Sequence, residues 1–164
     1  MISQKNLSVL ILLLITISMF TSCFKKEEPK ELKACAMVME KPNNSKDVTD
    51  EITEMVFGQI EEAITQRNDL RVIDRNRFDK VREEMQFQQT DWASSEKTAD
   101  LGKALNADFI CIVTIYKDSY KVEFLNVNSV QKKTCLGRYS TSFISKDVKV
   151  KDLDKLIKLD LHDL

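Results

Sequence analysis

Residues 68–115 read NDLRVIDRNRFDKVREEMQFQQTDWASSEKTADLGKALNADFICIVTI, and their reading decides the fold. The stretch opens on a short apolar run, Leu70-Arg71-Val72-Ile73, followed by Asp74, a residue suited to cap a helix. Phe78, Val81 and Met85 then share one helical face. Around them Arg75, Arg77, Lys80 and Arg82 mix with Asp79, Glu83 and Glu84, the pattern of a solvated side. Residues 86–93 break this period. Ser94 or Ser95 starts a second helix, which buries Thr98, Leu101, Gly102 and Leu105 and stops at Asn106. The stretch closes on a β-branched apolar run from Phe109, which reads as a central strand.

Working outward, residues 32–39 are almost continuously apolar, as in a strand buried on both faces, and residues 40–44 form a loop. Val48, Ile52, Met55, Val56, Ile60, Ala63 and Ile64 make one helical stripe, with Asp47, Asp50, Glu51 and Glu54 near the positive end of that helix. Downstream, Tyr120, Val122, Phe124 and Asn126 alternate with their neighbours, between turns at residues 117–119 and 128–133. A further strand places Cys135, Gly137, Tyr139, Thr141 and Phe143 on one face. Residues 151–164 are expected to close the chain as an amphipathic helix through Leu153, Leu156, Ile157 and Leu161. The expected order is β-α-β-α-α-β-β-β-α, an α/β domain with a mixed sheet of about five strands. Three glycines and two prolines in 164 residues argue against an all-β barrel.

The first 22 residues have the form of a signal peptide. Lys5 precedes an apolar run at residues 7–20, too short for a membrane-spanning helix, which takes about 20 apolar residues. Thr21 and Ser22 lead into Cys23, as in the lipobox of bacterial lipoproteins, with Phe20 where that box usually has leucine. The resemblance implies acylation of Cys23, residues 23–31 as a charged tether, and residues 32–164 as the domain. Removal of residues 1–22 deletes one charge and leaves 24 basic against 26 acidic residues, with no sign of the strong positive charge that nucleic acid calls for. Cys35, Cys111 and Cys135 match no zinc or redox spacing and read as buried thiols inside strands.

Catalytic chemistry is hard to assemble from this chain. The one histidine, His162, is third from the end of the sequence, so neither a Ser-His-Asp triad nor a histidine-rich metal site is available. Gly58, Gly102 and Gly137 are isolated, which leaves no phosphate loop. The expectation is a binding module with no catalytic residue, no metal and no cofactor. Arg75, Arg77 and Arg82, with Phe87 and Trp92 in the polar connector, are its candidate partner-binding residues, because binding energy concentrates on aromatic and arginine side chains. The plainer alternative for Phe87 and Trp92 is that they fold back onto the core.

Residues 52–143 resemble the curli-secretion (CsgG) and penicillin-binding-protein-activator (LpoB) family of bacterial lipoproteins. The resemblance is carried by a long amphipathic helix leading to Leu70-Arg71-Val72-Ile73-Asp74-Arg75, and by Ala99-Asp100-Leu101-Gly102-Lys103-Ala104-Leu105-Asn106-Ala107-Asp108-Phe109-Ile110. It continues through Val122-Glu123-Phe124-Leu125-Asn126-Val127-Asn128-Ser129, where a glycine expected near Val130 is missing. Secretion channels of this family carry long membrane hairpins, each strand of which needs about 9–11 residues. The short turn after Tyr116 leaves no room for one. The resemblance therefore implies the activator branch: an envelope lipoprotein, anchored in the outer membrane and facing the periplasm, that contacts a peptidoglycan synthase. The alternative is an oligomeric scaffold or accessory subunit of a secretion system, built by self-contact. A tether of about ten residues at ~3.5 Å each reaches about 35 Å, so either partner would be met close to the anchoring membrane.

Overall fold

The computed structural model describes residues 31–40, 48–142 and 147–164. Three strands pair in parallel: β1 (Lys33–Glu40) lies between β2 (Leu70–Val72) and β3 (Phe109–Ile115). The sheet continues antiparallel through β4 (Ser119–Asn126), β5 (Lys132–Thr141) and β6 (Val148–Val150), in the order β2-β1-β3-β4-β5-β6. Helix α1 (Asp50–Thr65) joins β1 to β2, and α2 (Arg75–Glu84), a 3-10 turn (Gln89–Ala93) and α3 (Ser95–Leu105) join β2 to β3. A short α4 (Leu153–Ile157) follows β6. Residues Leu32–Leu164 make one compact α/β unit.

Parallel crossovers are right-handed. The step from β1 to β2 runs one way along the sheet and the step from β2 to β3 runs back, so the connecting helices must lie on opposite faces. Accordingly α1 and α4 cover one face over Cys35, Cys111, Val113, Val122 and Phe124. Helices α2 and α3 cover the other over Ala36, Val38, Ile110, Ile112 and Leu125. The last strands are joined by tight connections that need no helix.

The expected caps form. Asp74 accepts from the Asn76 amide at 2.9 Å and Ser94 from Lys97 at 3.3 Å, and α1 has a further cap in Thr49, which accepts from the Ile52 amide at 3.3 Å. Asn106 ends α3 in the left-handed region at φ 52°. Gly102 is needed for close approach, since a Cβ there would meet Val127 Cγ2 at 2.3 Å. Gly137 lies opposite Tyr120, whose ring occupies the space a side chain would fill and whose hydroxyl donates to Lys151 O at 2.6 Å.

Two expectations change. A sixth strand is present: Val-Lys-Val is too short to show a period, and its outer edge is completed by Gln59 of α1. That side-chain amide donates to Val148 O at 2.7 Å and accepts from Val150 N at 3.2 Å. The closing helix stops at Ile157 rather than running on from Lys151 to Leu164, because Arg67 takes the carbonyls that further turns would use. Its guanidinium, on a residue only 6% exposed, donates to Leu156 O and Leu159 O at 2.7 Å each and pairs with Asp69 at 2.6 Å. Thr141 lies on the same side of β5 as Cys135 and Tyr139, opposite Val148, though exposed there, and Phe143 lies outside the described residues.

Cys35, Cys111 and Cys135 are free and buried. Cys35 and Cys111 occupy diagonal positions of adjacent parallel strands, with their thiols in hydrogen-bonding reach of each other. Burial pushes the thiols of Cys111 and Cys135 upward, and the neighbouring Cys35 thiol adds to the effect on Cys111.

The turn without its glycine places Val130 at φ 59°, a conformation that β-branched residues avoid. Asn126 holds it there. Its side-chain oxygen accepts from the Asn128 and Ser129 amides at 2.8 and 3.0 Å, and its carbonyl accepts from Val130 N at 3.0 Å. Val130→Gly should therefore raise the unfolding free energy by about 1 kcal/mol in urea titrations. Arg67→Met should lower it by about 3 kcal/mol, because one partner of a buried ion pair is removed. Amide exchange in that variant should lose protection first at residues 156–164.

Candidate partner-binding surface

The residues expected to form one partner face occupy three different settings. Helix α2 begins at Arg75, just past the carboxyl end of β2, because Asp74 caps it there. Its first two turns border a cleft of about 80 Å³ between the ends of β1 and β2, lined by Met37, Met39, Ile73, Arg75, Phe78 and Arg82. Arg82 pairs with Asp79 at 3.7 Å across one helical turn. Both side chains are partly exposed, so the pair contributes little to stability.

Arg77 turns away from this cleft. Its guanidinium donates to Leu105 O at 3.0 Å and so satisfies a carbonyl at the C-terminus of α3. It fastens α2 to α3, and its charge lies against the negative end of that helix.

Trp92 is buried, with 5% of its surface exposed. Its ring stacks on Phe78 with centroids 6.2 Å apart and meets Phe87 at 4.5 Å in a tilted contact. This is the fold-back arrangement, and its cause is local. Gln86 adopts φ 54° after α2, which reverses the chain and returns the connector over the apolar side of the helix. The Asp91 carboxylate then accepts from Gln88 N at 2.8 Å and pairs with Lys97 at 2.6 Å. These two contacts, led by the Lys97 hydrogen bond, hold its carboxyl below the usual carboxylate range.

Phe87 is half-buried, and its outer edge opens on a groove of about 580 Å³ with Met85, Gln88, Thr90, Asp91 and Lys97. Met85 is 40% exposed, so it does not complete the apolar side of α2 as its spacing suggests. The cleft runs along α2 from Arg75 to Arg82, and the groove begins just past the end of that helix at Met85. The structure thus brings Phe87 to Trp92 and leaves Arg75 and Arg82 together elsewhere.

Among the described residues no group of three or more His, Cys, Asp or Glu side chains is placed to hold a metal ion. His162 is exposed next to Asp160, whose carboxylate accepts from the His162 amide at 2.9 Å. The motif residues do structural work: Asp74 caps α2, and Asp108 accepts from the Ala34 amide at 2.7 Å and ties the start of β1 to that of β3.

The fold has solved counterparts. The C-terminal domain of LpoB from Escherichia coli superposes with a TM-score of 0.51 at 8% identity, covering 76% of this chain and 94% of that one. Lipoprotein GNA1162 from Neisseria meningitidis superposes with a TM-score of 0.53 at 9% identity, covering 76% of this chain and 90% of that one. The fold is LpoB-like. No protein-family model and no curated protein matches the chain by sequence. At such identities the likeness is one of architecture.

Burial makes Trp92 and Phe87 unequal. Trp92→Ala should lower the unfolding free energy by about 3–5 kcal/mol in denaturant titrations followed by circular dichroism. Phe87→Ala should cost about 1 kcal/mol, since its outer edge is already in water. That makes Phe87, with Met85, the substitution that tests the groove without disturbing the core.

Proposed function

We propose that this chain is a lipid-anchored periplasmic protein-binding module that regulates an envelope enzyme by contact, in the manner of peptidoglycan-synthase activators, and that catalyses nothing itself. What supports this reading is the LpoB-like fold, together with an N-terminal stretch that resembles a lipoprotein signal ending at Cys23. The connections of the meander add support. Three residues separate β3 from β4 and five separate β4 from β5, too few for a membrane-spanning hairpin. In this reading Cys23 carries the acyl chains, the outer membrane holds them, and the groove beside Phe87 with the Arg75–Arg82 cleft contacts the partner. The short tether favours a partner whose docking domain stands close to the anchoring membrane.

The deciding experiment is crosslinked capture of the full-length protein from intact cells, followed by mass spectrometry. A peptidoglycan glycosyltransferase or transpeptidase should be recovered, and recovery should fall at least about fivefold for Phe87→Ala if the groove contributes the more than 1 kcal/mol typical of an anchor. Recovery of only the protein itself with secretion components would favour the oligomeric scaffold. In the same cells Cys23→Ala should abolish incorporation of labelled palmitate and release the protein from membranes.

A further inference from the structure

The hairpin connections of β4, β5 and β6 leave the second face of the meander, beyond Leu125 of β4, without a helix over it. Residues on that face follow from the register. Lys121 and Glu123 of β4 stand opposite Leu136 and Thr134 of β5, and Ser140 of β5 stands opposite Lys149 of β6. Lys132 and Arg138 belong to the same outward row of β5, where the burial pattern alternates between exposed and buried positions. Lys151 adjoins it, its amide donating to Arg138 O at 2.8 Å. Five cations therefore share this face.

Three carboxylates accompany them: Asp147, exposed at the start of β6 opposite Ser142, and two that are engaged. Glu123 pairs with Lys121 at 2.6 Å, and Glu40 accepts from the Thr114 hydroxyl at 3.3 Å. Among the described residues Lys132, Arg138, Lys149 and Lys151 make no ion pair. Asp118 and Asp152 lie at the far end of the face, where Asp152 is held by Lys155 at 2.7 Å. On the opposite side of the sheet, α1 carries Asp50, Glu51, Glu54, Glu61 and Glu62 and no cation. The net charge of -1 thus conceals a domain with one basic and one acidic side.

We infer that the open face of the β4–β6 meander lies against an anionic phospholipid surface. This rests in part on the lipid-anchored reading, and it adds an orientation to it. The face is a sheet surface whose exposed large side chains are Leu136, 67% exposed, and Tyr116 at one end, 39% exposed, a tyrosine of the amphipathic kind that suits a membrane interface. Long lysine and arginine stems can lie along such a surface while their charges reach headgroup phosphates. Strand β5 runs parallel to β1, since two antiparallel steps separate it from β3. Lys132 therefore stands at the sheet end where Lys33 begins β1 and the segment from Cys23 arrives. A tether reaching about 35 Å keeps this end near the bilayer. The acidic α1 is repelled from the same surface, so both sides of the domain favour one orientation.

The test uses residues 32–164, which carry both cores and lack Cys23, so its result is independent of acylation; palmitate labelling reports that separately. The domain should sediment with phosphatidylcholine vesicles containing phosphatidylglycerol, but not with phosphatidylcholine alone, and binding should weaken as salt rises. The combined variant K132E, R138E and K149E should bind at least about 100-fold more weakly, since each surface cation contributes about fivefold. Its circular dichroism should be unchanged, because all three side chains are exposed. Equal binding to both vesicles, no binding to either, or wild-type binding by the variant would overturn the inference. So would self-association through this face, seen as sedimentation of the wild type without vesicles that the variant lacks.

Discussion

The handedness of parallel crossovers governs this molecule more than any single contact. A chain that steps from β1 outward to β2 and then back across to β3 must place α1 on one face of the sheet and α2–α3 on the other. Once β3 is laid down, the remaining strands add by tight connections and carry no helix to the second face. That face stays open, and its outward rows hold whatever the alternation of β4, β5 and β6 assigns to it. The segregation of lysine and arginine there, against the carboxylates of α1, follows from this wiring.

Two polar side chains complete what the wiring leaves unfinished. Gln59 offers β6 the hydrogen bonds that a further strand would supply, which closes an edge otherwise open to pairing with another chain. Arg67 does the comparable work at the C-terminal segment. Its guanidinium collects two carbonyls and a carboxylate while lying 6.0 Å from the Phe124 ring centroid. Both groups sit on or just after α1, so that one helix organises the closing third of the chain as well as the first core.

The same economy explains why architecture can be shared at 8–9% identity with the LpoB domain and the Neisseria lipoprotein. The motif residues make caps and strand ties, as Asp74, Asp108 and Asn126 do, and such roles tolerate wide change elsewhere. They also tolerate exceptions. Val130 accepts a left-handed backbone where glycine would sit unstrained, because the Asn126 hydrogen bonds and a half-buried contact with the second core hold it. A surface used for binding has no such constraint, which is why the likeness carries the fold and leaves the partner to be argued from this chain.

Local patterns in the sequence were enough to locate most elements, because a helix or strand with one apolar side announces its period wherever it packs. The stripe on α1, the unbroken run of β3, the caps at Asp74 and Ser94 and the stop at Asn106 are all legible this way. So are the buried thiols and the scarcity of catalytic groups. The period does not say what an element packs against. Strand β6 exists only with β5 and Gln59 beside it, and α4 is cut short by an arginine some ninety residues earlier. Trp92, in a polar stretch with no period, is drawn into the core by Phe78 and Phe87, whereas Met85, in register with that core, is left outside. Charge shows the difference most plainly: composition records a near-neutral chain, and only the topology sorts its charges onto opposite sides, because sidedness belongs to the sheet and not to any segment of it.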